Sequence, residues 1–106
     1  MDIKNYIQEN ETRFLDELFS LIRIPSISAH PDKKDEMLRC AERWAELLRQ
    51  AGVDRAEVMP SAGNPLVYAE KHVSDDAKTV LIYSHYDVMP AEPLELWHSN
   101  PFEPEV

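Results

Sequence analysis

A histidine and an aspartate two residues apart close an apolar run in this chain. The stretch reads Thr79-Val80-Leu81-Ile82-Tyr83-Ser84-His85-Tyr86-Asp87-Val88-Met89-Pro90. Histidine is the commonest metal-ligating side chain. A carboxylate beside it can fix the tautomer and orientation of the imidazole. In extended chain, His85 and Asp87 point to one side and Tyr86 to the other. The chemistry this pair suits is metal binding by His85, with Asp87 as the acid that orients it. The competing reading is a strand-end histidine bonded to a neighbouring acid, with no metal. Spacing alone does not decide, because His30-Pro31-Asp32 repeats it. There Pro31 and Asp32 open a helical pattern, so Asp32 reads as a cap or first-turn acid and His30 as a loop residue.

Position along a strand gives the later copy its interest. Thr79 to Tyr83 is β-rich and free of charge, which predicts a strand buried on both faces of a parallel sheet. His85 then falls at the carboxyl end, where α/β proteins place ligands. Two further strands are predicted at Arg55–Met59 and Leu66–Lys71, joined by a hairpin loop over Ser61–Pro65. Ahead of them come two amphipathic helices. The first runs from Asp2 to about Ile22, with Ile3, Ile7, Phe14, Leu18, Leu21 and Ile22 in its stripe and Pro25 beyond its end. The second runs from Asp32 to Ala51, with Met37, Ala41, Trp44, Leu48 and Ala51 on one face and Gly52 closing it. Both stripes read as core faces. The expected fold is α/β: two amino-terminal helices followed by strands of a mixed, mainly parallel sheet.

Size and charge limit what such a fold can do. The chain has 106 residues, enough for one small domain. Its net charge of −9 argues against a nucleic-acid binder or an anionic-membrane binder. No Lys or Arg follows Lys78, whereas Asp87, Glu92, Glu95, Glu103 and Glu105 do. That tail reads as a solvated acidic segment, or as a field favouring a cation near His85. Cys40 is the single cysteine, which excludes an intrachain disulfide and a thiolate zinc knuckle. It sits in a helical pattern and reads as a small core residue. No secretory signal or membrane-spanning run is visible, so a cytoplasmic location is expected. Pro90 to Val106 holds half of the prolines and shows no periodicity. His98 in that stretch reads as a surface residue, His72 as structural, and Trp97 and Phe102 as packing the loop onto the sheet.

Several spaced features together resemble a known family. They are the apolar strand, His85-Tyr86-Asp87-Val88 with Pro90, Pro93-Leu94-Glu95-Leu96-Trp97, then Pro101-Phe102 and Pro104. Ile24-Pro25-Ser26-Ile27-Ser28 and the helix ending in Ala51-Gly52-Val53 agree with them. The block resembles the first metal site of the dinuclear zinc metallopeptidases that include aminoacylase, glutamate carboxypeptidase and carnosine-type dipeptidases, the dipeptidase branch most of all. The resemblance implies that His85 is a zinc ligand and that Asp87 is the catalytic-site acid orienting it. It implies that residues 1–106 are the amino-terminal portion of the catalytic domain, without the lid and dimerisation domain. The implied parent is a dipeptidase using two Zn2+ per complete site, with Mn2+ or Co2+ as alternatives, acting on dipeptides or short peptides. It is expected to be a homodimer through the domain not present here. A catalytic zinc needs about three protein ligands, and His85 supplies one. The segment alone is therefore expected to be inactive. The alternative is a non-catalytic truncated module that associates with a partner chain through an unfinished sheet.

Overall fold

Asp2 starts the first helix because its carboxylate accepts the free backbone N–H groups of Lys4 (3.0 Å) and Asn5 (3.3 Å). A computed structural model describes all residues, Met1–Val106. The predicted first helix is two: α1 (Ile3–Glu9) and α2 (Glu11–Ile22). Asn10 makes the break. Its side-chain amide donates to the Tyr6 carbonyl at 2.8 Å, and its carbonyl oxygen accepts from Arg13. An asparagine that competes for backbone partners in this way interrupts helical geometry.

The chain forms two compact units, Met1–Ile24 with Ala91–Val106, and Pro25–Pro90. In the first, neither α1 nor α2 has a buried residue. Ile3, Tyr6, Ile7 and Leu18 are exposed and Phe14, Leu21 and Ile22 are half-buried, so this stripe is only partly the core face it was expected to be. Periodicity marks the face that burial would use, and in that unit it is covered only in part. The carboxyl-terminal stretch is irregular apart from one 3-10 turn at Leu94–Leu96. Trp97 is 52% exposed rather than packed away. Its indole N–H donates to the Ala91 carbonyl at 2.8 Å.

The second unit carries the candidate site. A 3-10 turn at Pro31–Lys33 leads into α3 (Lys34–Gln50). Two links end that helix. The amide of Gly52 donates to the Arg49 carbonyl and that of Val53 to the Leu48 carbonyl, with Gly52 at φ +94°. This is a Schellman closure, which needs the left-handed residue that glycine supplies. Strands β1 (Arg55–Met59) and β2 (Leu66–Glu70) pair antiparallel, with Arg55 opposite Glu70 and Met59 opposite Leu66. α3 lies against both strands. Its buried residues are Met37, Cys40, Ala41 and Ala45, and Ala56 of β1 is buried too. Three of the four buried side chains on α3 are small, so the helix can approach closely. Trp44 and Leu48, expected in the same stripe, are only partly covered, and Ala51 is exposed.

The sheet differs from expectation. It is a two-stranded antiparallel hairpin, not a mixed, mainly parallel sheet. Thr79 to Tyr83 forms no strand. Leu81 is 90% exposed and Ile82 86%. A strand exists only where a neighbouring backbone takes its N–H and C=O groups. An apolar run reports a preference for burial and cannot supply that neighbour. The one parallel contact is a single bridge between Ile27 and Val88.

Asp54 ties the end of the hairpin. Its carboxylate accepts the His72 backbone N–H at 2.7 Å and the Lys71 ammonium at 3.1 Å. The backbone bond from His72 first, and Lys71 second, hold its carboxyl below the ordinary 3.8. A depressed folded-state value means that this stabilisation is complete above the unfolded value. It is lost as pH falls through the folded one. Asp54→Asn is therefore expected to flatten the fall in stability below about pH 4. Urea unfolding of both proteins across that range checks it, and superimposable acid limbs would refute it. His72 itself is exposed, with its ring 3.1 Å from Asp75.

Candidate metal centre

Pro25 turns the chain away from helix, because the residue before proline avoids α geometry and the ring fixes φ. The extended segment that follows lies along Tyr86–Val88. The Val88 amide donates to the Ser26 carbonyl at 2.9 Å. The Ser26 hydroxyl donates to the Tyr86 carbonyl at 3.0 Å. Ser26 and Ile27 are buried, at 1% and 4% exposure, so one side of this ladder is shielded from water, while Val88 opposite is exposed.

Tyr86 is held at both ends. Its carbonyl also takes a long contact from the Cys40 thiol on α3, at 3.8 Å. Its phenol donates to the Pro65 carbonyl at 2.6 Å. Burial raises the Tyr86 phenol above its ordinary value. Burial likewise raises the Cys40 thiol, which keeps it protonated and unreactive. With Tyr86 directed inward, the alternation of extended chain turns His85 and Asp87 outward.

Those two side chains meet. His85 Nδ1 lies 3.0 Å from Asp87 Oδ1 and 3.2 Å from the Asp87 carbonyl oxygen. Both neighbours are acceptors, so Nδ1 carries the hydrogen. In the neutral ring Nε2 then keeps its lone pair, the state that binds a metal. The imidazole is 79% exposed. The other carboxylate oxygen, Oδ2, accepts from the Ser28 hydroxyl at 2.5 Å. The Ser28 bond is the main cause that holds the Asp87 carboxyl below its ordinary value. Partial burial opposes it, and the His85 bond adds to it. A carboxylate kept ionised in this way suits the orienting role.

These residues fit one ligand of a metal site. No three His, Cys, Asp or Glu side chains come together to hold an ion. His98 is exposed in the irregular carboxyl-terminal stretch, and His30 lies beside Pro31 ahead of α3. Ser26 and Ser28 have roles here that the sequence did not disclose. The available signal was two serines two apart after a proline, the spacing of side chains on one face of an extended segment.

The chain as a whole is similar to metallodipeptidases. It is similar to them over nearly its whole length, and the resemblance read from its motifs holds on the dipeptidase branch. One relative is the Cys-Gly metallodipeptidase DUG1 of Saccharomyces cerevisiae, 28% identical over 109 residues that span 92% of this chain and 23% of the relative. Another is the cysteinylglycine-S-conjugate dipeptidase of Corynebacterium striatum, 31% identical over 94 residues, spanning 89% and 21%. The solved structure of the di-peptidase Dug1p from Saccharomyces cerevisiae superposes with a TM-score of 0.81 at 25% identity, covering 92% of this chain and 22% of that one. No protein-family model matches the chain. The chain spans about a fifth of the length of the relatives it matches. No helix is long and apolar enough to cross a membrane.

Proposed function

We propose that this chain is the amino-terminal segment of the catalytic domain of a zinc-dependent peptidase that hydrolyses dipeptides. The observation that carries this reading is the His85 imidazole, with Nδ1 tied to Asp87 and Nε2 free and exposed. The names of the relatives point to cysteinylglycine-type dipeptides as the substrate class. In this reading His85 holds one zinc ion and Asp87 keeps the ring in its ligating tautomer. A bound zinc pair supplies a water acidified to neutral pH and polarises the scissile carbonyl. His85 supplies one ligand of such a site, and no further ligands gather around it among these residues.

The test compares the 106-residue chain with the full product of its coding region, on Cys-Gly with zinc added. Hydrolysis by the longer polypeptide only is the expected result, with weak zinc binding by the 106-residue chain. Substantial hydrolysis by a verified 106-residue species would overturn the claim that the site is incomplete. A second reading, a non-catalytic module that associates with another chain, draws support from the exposure of Val80, Leu81, Ile82 and Tyr83.

A further inference from the structure

We propose that Ser28 is a positioning residue, whose hydroxyl fixes the Asp87 carboxylate and through it the tautomer and direction of the His85 imidazole. The consequence for metal binding rests on the reading of His85 as a ligand. The positioning itself does not.

A carboxylate on a half-exposed side chain rotates over a broad range about its last torsion. Asp87 is such a group, at 40% exposure. Two bonds stop the rotation, one on each oxygen. The His85 bond cannot anchor the pair, because the imidazole is the more exposed member. Ser28 can. It bonds Oδ2 at 2.5 Å, a short O–H···O⁻ contact of the strong, charge-assisted kind. Its backbone follows directly on Ser26 and Ile27, which are buried and laddered to Val88. The order therefore passes from a buried frame to a hydroxyl, from the hydroxyl to a carboxylate, and from the carboxylate to the ring. The contact joins residues 59 apart in sequence, so it is not a by-product of a local turn.

Ser28 also lines a cavity of about 280 Å³ with His30, Lys34, Met37 and Asn64. Ser28 is exposed, so a threonine at this position keeps the hydroxyl with its added methyl toward solvent-accessible space. Ser28→Ala and Ser28→Thr thus separate the hydroxyl from the bulk.

The first readout is the pair of ring-nitrogen chemical shifts of His85 by NMR, in the metal-free chain at about pH 8, where imidazole is ordinarily neutral. Ser28→Ala should move both shifts toward a tautomeric mixture, and Ser28→Thr should restore them. The backbone amide spectrum away from the site should stay unchanged. Unchanged ring shifts in Ser28→Ala would overturn the proposal, as would a folded Ser28→Thr that behaves like the alanine variant. The second readout is zinc affinity of the full coding product, expected to fall about tenfold in Ser28→Ala. A tautomer shift with zinc affinity unchanged would support the positioning role and count against His85 as a ligand. The two readings can therefore fail separately.

Discussion

On the proposed function, replacing His85 with alanine is expected to remove dipeptide hydrolysis by the full coding product and to leave the fold of this segment intact. The imidazole is largely exposed and contributes little to packing, so the change should alter stability by no more than a few tenths of a kcal/mol. Its chemical cost is different in kind. On that reading, a metal lost with His85 would take with it several kcal/mol of charge stabilisation in the transition state. About 4 kcal/mol corresponds to a loss on the order of a thousandfold in rate. The check is kcat/KM on Cys-Gly together with zinc content by mass spectrometry. Both should fall, and added zinc should restore little. Full activity and full zinc content in His85→Ala would remove the metal reading of this residue.

Introducing Leu81→Lys and Ile82→Lys together is expected to abolish self-association of the 106-residue chain. Val80, Leu81, Ile82 and Tyr83 present apolar side chains to solvent on a segment whose backbone makes no strand pairing. Such a stretch offers both apolar surface and free N–H and C=O groups to a second copy. Sedimentation velocity should show species larger than monomer for the natural chain, increasing with concentration, and monomer for the double variant. The two lysines lower the magnitude of a net charge of −9. Loss of association therefore could not be assigned to stronger mutual repulsion. Because neither side chain is buried, the thermal midpoint should hardly move. A compact natural monomer at high concentration would contradict this expectation.

What the residues disclosed depended on whether the cause was local. Helix α3 and its closure at Gly52 were legible because periodicity and a left-handed glycine act over a few neighbours, although Asp32, read as its cap or first-turn acid, falls in the 3-10 turn ahead of it and no side chain caps its start. The hairpin loop was legible for the same reason. The break at Asn10 was not, since a side chain that bonds back one turn looks in sequence like any polar residue on a wet face. The apolar run before His85 misled for a deeper reason. Its composition records how much it gains from cover, while strand formation depends on a partner that composition does not name. At the site, the proximity of His85 and Asp87 follows from extended geometry. The Ser28 bond to Asp87 spans 59 residues, and nothing local to either position announces it.

That span has a consequence for how the unit assembles. α3 and the β1–β2 hairpin draw on contacts between near neighbours and can form early, on the microsecond scale of such elements. The ladder from Ser26 to Tyr86 closes a loop of 60 residues, and its entropy is lost before any bond is gained. During synthesis the chain must emerge past Val88 before the ladder can exist at all. The segment bearing His85 is therefore expected to be last in order of assembly, fastened onto a helix and hairpin already in place. A nascent chain would bring the His85 imidazole to its final orientation only after the rest of the unit had folded.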